Sequence, residues 1–215
     1  KQMRKELGDD YDIDTHFTPK YNPWDQRLCA VPDGDMFKSI RDGDAEVVTD
    51  QINKFTKNGI VLDSGKELLA DIVVMATGLK IKFGGGINYI VDGESIDMSQ
   101  QHVFRGMMIS NIPNMAFTVG YTNSSWTLKT DLTAKYFCNI LKKMNRNGYR
   151  SVTPRLKSKV ADSPMLDFQA GYVLRAKDQL PKNGDSIPWK THDDYIKDFF
   201  DMLFNRLNDE ELEFD

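Results

Sequence analysis

The sequence predicts an α/β fold with a helical C-terminal part, and three observations carry that prediction. The apolar run at 72–75 leads into Ala76-Thr77-Gly78. It has the unbroken hydrophobicity of a strand buried on both faces of a parallel sheet. The stretch "TVGYTNSSWTLKTDL" at 118–132 reads as strand, small polar loop and helix start. From about 127 to 145, Leu128, Leu132, Tyr136, Ile140 and Met144 recur every fourth residue, backed by Phe137 and Leu141. That spacing is the apolar stripe of an amphipathic helix.

The elements follow in order. "KQMRKELGDDYDID" reads as the end of a helix, with basic residues in its last turn and Gly8 as its stop. Because the chain opens inside a helix and without an initiator Met, a preceding N-terminal portion is expected. Residues 15–35 hold Pro19, Pro23 and Pro32 without periodicity, and each proline pushes its predecessor toward extended geometry, so a loop is expected. "MFKSIRDGD" is a short helix with Met36, Phe37 and Ile40 on one side and Gly43 at its end. Strands are expected at 45–49, 52–56 and 59–63, the last turning at Ser64-Gly65 toward the buried strand at 72–78. Asp92-Gly93 marks a hairpin, and "MAFTVG" at 115–120 is read as another buried strand. Thr127 or Ser125 caps the long helix, and Asn147-Gly148 ends it. A helix is expected around 164–176. In "THDDYIKDFFDMLFNRL", Thr191 with Asp194 resembles a capping box, and Ile196, Phe199, Leu203 and Leu207 form the stripe. The acidic end, "DEELEFD", reads as a frayed, solvated tail.

Composition narrows the function classes. Of 215 residues, 40% are hydrophobic and 28% charged, an ordinary globular balance. With 28 basic and 32 acidic residues the formal charge is −4, which supplies no field for a nucleic-acid backbone. No apolar run reaches the roughly 20 residues of a membrane span. Cys29 and Cys138 form no CxxC pair, and His16, His102 and His192 share no metal-ligand spacing, so no metal site is expected. Cysteine usage fits a reduced, cytoplasmic setting.

Four stretches invite chemistry. The strand ending at Ala76, Thr77 and Gly78 either opens a sheet edge to a cofactor or is a core strand with a routine turn. Gly84-Gly85-Gly86 lacks the third glycine and the following helix of a phosphate loop, and reads as a flexible loop. The 118–132 segment, with Gly120, Asn123, Thr127 and Leu128, either turns free N–H groups toward a carbonyl or anion or is a well-capped βα turn. Arg27, in "YNPWDQRLC", is a permanent cation suited to an anionic ligand, or a surface arginine paired with Asp25 and covered by Trp24.

"HFTPKYNPWDQRLC", "GIVLDSGKELLADIVVMATGL" and "GMMISNIPNMAFTVGYTNSSWTLKTDL" resemble, in this order, the C-terminal half of flavin-dependent monooxygenases. The nearest type is the bacterial Baeyer–Villiger enzymes of the ethionamide-activating kind. The resemblance is specific over about 11–150 and weak beyond. It implies a two-dinucleotide-binding-domain (FAD/NAD(P)) flavoprotein fold lacking its N-terminal half. Residues 1–80 would complete an NADP-binding domain carrying the active-site loop 15–35, residues 81–150 an FAD-binding domain, and 151–215 a helical extension. The glycine fingerprints for FAD and NADP and the family's His/Trp signature would lie upstream, so the chain alone is expected to be inactive.

The same resemblance assigns roles. Arg27 takes the place of the active-site arginine, and Gln26 stands where the family has a lysine that helps hold NADP(H). Ala76, Thr77, Gly78, Gly120, Asn123, Thr127 and Leu128 would border the cofactors, with 120–127 facing the flavin's pyrimidine edge. The implied chemistry is reduction of FAD by NADPH and addition of dioxygen to give a peroxyflavin. A ketone then becomes an ester or lactone, or a sulfide takes up oxygen. Two other readings stand beside this one: another FAD/NAD(P)H oxidoreductase, such as an N-hydroxylating monooxygenase or a disulfide reductase, and a non-catalytic binding module that keeps the half-fold.

Overall fold

The computed structural model describes residues 2–22, 25, 31–122, 124–204, 207 and 210–215. The chain divides into two compact units, Lys1–Gly78 and Leu79–Asp215.

The first unit begins with helix α1 (Gln2–Leu7), closed as expected at Gly8, whose N–H donates to the Arg4 carbonyl at 3.0 Å. The described residues between 18 and 34 form the expected loop, without helix or strand. A short helix α2 (Ile13–Phe17) forms because Asp12 accepts the free Thr15 N–H at 3.1 Å. Helix α3 (Asp35–Asp42) ends at left-handed Gly43 as its sequence indicates. It is tied to α1 by Arg41, whose guanidinium reaches the Glu6 carboxylate at 3.1 Å.

Strands β1 (Ile52–Phe55) and β2 (Gly59–Leu62) form where expected and, with β3 (Glu67–Leu69), make an antiparallel meander with β2 in the middle. Two expected strands do not form. Residues 45–49 have no ladder partner, and Glu46 instead pairs with Lys66 at 2.8 Å. The run at 72–78 is likewise not a strand, and Ile72, Val74 and Met75 stand 82%, 81% and 64% exposed. An apolar run of this kind is stable only when sheet neighbours satisfy its amides and layers cover both faces. The described residues supply neither.

The second unit opens with a 3₁₀ turn at Phe83–Gly86, which confirms that the glycine triplet leads into no helix. The hairpin of β4 (Tyr89–Val91) and β5 (Glu94–Ile96) turns at Asp92 and Gly93, with φ of 52° and 89°, as the Asp-Gly pair requires. A second hairpin, β6 (Val103–Phe104) with β7 (Met108–Ile109), has no local sequence signal and is wholly buried. Residues 115–120 form no strand. They run extended against this hairpin, with Phe117 N–H donating to the Met107 carbonyl at 2.8 Å.

Helix α4 (Trp126–Asn147) is the long helix that the stripe predicts. Gly148 closes it in the left-handed region at φ 73°, donating to the Met144 carbonyl. Leu132, Tyr136 and Ile140 are buried as expected, whereas Leu128 is exposed and Lys129 is buried in its stead. Ser125 occupies the N-cap position but makes no capping bond, since its hydroxyl pairs with that of Thr127 at 2.7 Å.

Beyond 150 the chain stays within the second unit. β8 (Val152–Pro154) follows α4, and β9 (Ser163–Pro164) later pairs with β10 (Lys182–Asn183). The helix expected at 164–176 shrinks to α5 (Gly171–Leu174), because β9 and the residues after it are committed to β10 and its neighbours. Helix α6 (Tyr195–Phe204) is capped by Asp194, which accepts the Lys197 N–H at 3.0 Å. Thr191 turns away from the expected capping box and donates to the Asn183 side chain. Of the α6 stripe, Phe199, Leu203 and Leu207 pack against the main core as expected, whereas Ile196 is exposed and Asp198, Asp201 and Met202 also face inward.

The tail is not frayed. β11 (Leu212–Phe214) pairs antiparallel with β8, burying Leu212. Glu211 accepts from the N–H groups of Lys157 and Ser158 and from the Trp189 indole at 2.7, 2.8 and 3.0 Å. The main core gathers Phe104, Met108, Leu132, Tyr136, Trp189 and Met202 from these elements. Each such side chain contributes roughly 1.5–3 kcal/mol by leaving water.

Candidate functional site

The residues singled out by sequence fall into three groups. Gln26, Arg27 and Asn123 lie outside the described residues. Ala76, Thr77 and Gly78 are exposed on the extended segment of the first unit. Gly120, Thr127 and Leu128 come together in the second unit, where the 118–122 segment runs into the first turn of α4.

Close packing fixes this turn. A Cβ on Gly120 would stand 2.1 Å from Trp126 Cγ, so only glycine lets the indole lie across the chain there. Trp126, Thr127 and Leu128 remain exposed, leaving the first turn of α4 open on its outer side.

Beneath that turn lies a charged cluster with few counterparts in an apolar core. Lys129 Nζ meets Asp198 Oδ2 at 2.5 Å, and both side chains are below 5% exposed. The Tyr121 hydroxyl donates to the same oxygen at 2.8 Å, and the ammonium sits 5.7 Å from the Tyr121 ring centre. Burial first, and the bond to Asp198 second, push the phenol far above its ordinary range, so Tyr121 stays neutral and donates. A second buried pair joins Arg105 to Asp201 at 2.6 Å. Arg105 adopts a left-handed φ of 49° at the β6–β7 turn, which directs its guanidinium over the Phe104 and Tyr136 rings. On the outside, Asp193 accepts both the N–H and the hydroxyl of Thr122, the former at 2.8 Å.

A cavity of about 90 Å³ adjoins the cluster, bordered by Gly106, Val119, Gly120, Thr122, Lys129 and Asp193 among others. A wider apolar groove of about 420 Å³ runs along Ile81, Phe83, Met115, Phe117 and Val119. Among the described residues, no group of three or more His, Cys, Asp or Glu is placed to hold a metal. No described helix is long and apolar enough to cross a membrane.

Sequence reasoning missed Lys129, Arg105, Asp198 and Asp201. The signal existed in part. Lys129, Leu132, Thr133, Tyr136 and Ile140 share one face of α4, and Asp198 and Asp201 sit three apart beside Met202. A cation inside one apolar stripe and anions inside another announce a buried pair, but not which residues meet.

No family model matches the chain, and no solved structure matches it. The chain is 47% identical over 213 residues to the FAD-containing monooxygenase EthA of Mycobacterium tuberculosis, a match covering 99% of this chain and 44% of that protein. It is 44% identical over 212 residues to EthA of Mycolicibacterium smegmatis, covering 98% of this chain and 43% of the relative. A protein of Acinetobacter baylyi named probable FAD-binding monooxygenase AlmA is 49% identical over 202 residues, 93% of this chain and 41% of its own length. The chain thus spans less than half the length of the relatives it matches.

Proposed function

We infer that this chain, homologous along nearly its whole length to FAD-containing monooxygenases, is the C-terminal part of such an enzyme. We take it to act with FAD and NADP(H) on a ketone or a sulfide. The observation that carries the reading is the 47% identity to EthA maintained over 99% of the chain. The same reading makes residues 1–80 part of an NADP-binding domain and residues 81–150 part of an FAD-binding domain.

The described residues fit part of the flavin only. The open first turn of α4, with Thr127 and Leu128 beside the tightly packed Gly120–Trp126 contact, offers an exposed edge that a planar ring can approach. The same reading assigns Ala76, Thr77 and Gly78, exposed in the first unit, to cofactor binding. The described residues contain no glycine-rich turn feeding a helix N-terminus, so the diphosphate is assigned to residues outside them. When bound, FAD supplies electron transfer and oxygen activation, which no side chain here performs.

What the chain's own residues supply is position and charge. Thr127 and Leu128, exposed in the first turn of α4, would border the ring edge. By the family resemblance Arg27 would be the fixed cation that stabilises negative charge as it develops. Removing a well-placed donor of this kind costs roughly 10²–10³ in rate. In the protein made from the complete reading frame, Arg27→Ala therefore leaves flavin reduction by NADPH intact while ester formation falls by about that factor. Stopped-flow reduction alongside product analysis checks both halves, and unchanged ester yield removes Arg27 from the site. A ketone and a sulfide assayed side by side decide between the two substrate classes.

A further inference from the structure

We propose that the segment leading into α6 is a clamp that sets the conformation of the 120–122 loop, with Asp193 and Asp198 as positioning residues. The inference rests on the reading that this loop faces the flavin.

The loop is held from two sides by carboxylates some seventy positions away in sequence. On the buried side, Asp198 accepts the Tyr121 hydroxyl at 2.8 Å while also neutralising Lys129 of α4. On the exposed side, Asp193 takes both donors of Thr122, its backbone N–H at 2.8 Å and its hydroxyl. Adjacent residues of one loop are thus bonded to residues five apart across the start of α6. Two anchors, Asp193 in the segment before α6 and Asp198 on the helix itself, fix both the position and the rotation of the loop, which a single bond does not. The segment leading into the loop, 115–120, belongs to no sheet. Gly120, pressed on Trp126, transmits the clamped geometry to the first turn of α4. The C-terminal segment, which carries none of the chemistry assigned to the family's motifs, thereby determines the shape of the edge offered to the cofactor.

The test removes the outer arm, the inner arm, and then both, leaving the Lys129–Asp198 pair in place. Asp193→Ala deletes the Thr122 contacts from an exposed position. Tyr121→Phe deletes only a hydroxyl. Asp193→Asn keeps an acceptor for the Thr122 N–H and serves as the rescue. Amide exchange of residues 120–122 is measured in the 215-residue chain. FAD affinity and the visible spectrum of bound FAD are measured in the protein from the complete reading frame.

The clamp predicts that exchange at 120–122 rises about tenfold in Asp193→Ala and further in the double variant, the loss of roughly one net hydrogen bond per arm. It also predicts that FAD binding weakens by a similar factor with a shifted flavin band, and that Asp193→Asn restores both. Unchanged exchange in the double variant overturns the clamp. Raised exchange with unaltered FAD affinity and spectrum upholds the clamp but overturns the flavin-facing assignment of the loop, so the two failures are distinguishable.

Discussion

Lys129 and Asp198 show how much of this fold depends on single charges. Both are buried, and two charges withdrawn from water are stable only while they face each other. Asp198→Ala strands the ammonium, and we expect it to destabilise the second unit by about 3–5 kcal/mol. The double change Lys129→Met with Asp198→Leu restores part of that loss, because an apolar pair of similar size needs no countercharge although the Tyr121 hydroxyl still loses its acceptor. Urea denaturation of the three proteins checks this, and a double variant no better than the single one refutes it. The residue scale is also where sequence reading was weakest. Lys129 occupies the apolar face of α4 where Leu128 was expected, a displacement of one position that a four-residue spacing cannot resolve. Its partner lies 69 residues on, beyond the reach of any local pattern.

At the scale of elements, α3, α4 and the β4–β5 hairpin were legible because their signals are local. A stripe, a Gly43 or Gly148 stop and an Asp-Gly turn each act within a few residues. The C-terminal strand β11 was not legible, since its many acids mask the alternation of buried Leu212 and half-buried Phe214. Those acids have partners: Glu213 meets Arg155 and Lys157, and Glu211 is enclosed by donors.

Burial raises the affinity of the Glu211 carboxyl for its proton. The bonds from Ser158, Lys157 and Trp189 outweigh that effect and hold it below its ordinary value of 4.5. A carboxyl lowered on folding contributes stability that is complete above its unfolded value and lost as pH falls through the folded one. Glu211→Gln is therefore expected to cost about 1–3 kcal/mol at neutral pH, by placing an amide donor among donors. It also flattens the decline in stability below about pH 4.5. Denaturation midpoints of both proteins between pH 3 and 7 measure the difference. Parallel curves contradict the role of Glu211.

At the scale of the whole molecule, the run at 72–75 joins the sequence reading to the proposed function. Its composition is that of an interior strand, but its environment is solvent. The discrepancy is physical: a strand buried on both faces depends on neighbours that the run itself cannot encode. Exposed apolar surface of this kind drives association. The 215-residue chain is thus expected to self-associate, and Ile72→Lys with Val74→Lys to return it toward a monomer in sedimentation velocity. Identical sedimentation of the two proteins contradicts that role for the run.

The proposed function makes this chain part of a flavin enzyme reduced by NADPH. The most direct test is the visible spectrum of the protein expressed from the complete reading frame, recorded before and after NADPH without oxygen and again on admitting air. The account predicts a yellow protein that bleaches with NADPH and regains its colour in air, with ester or sulfoxide formed when a ketone or sulfide is present. A colourless protein, or a yellow one indifferent to NADPH, would contradict it.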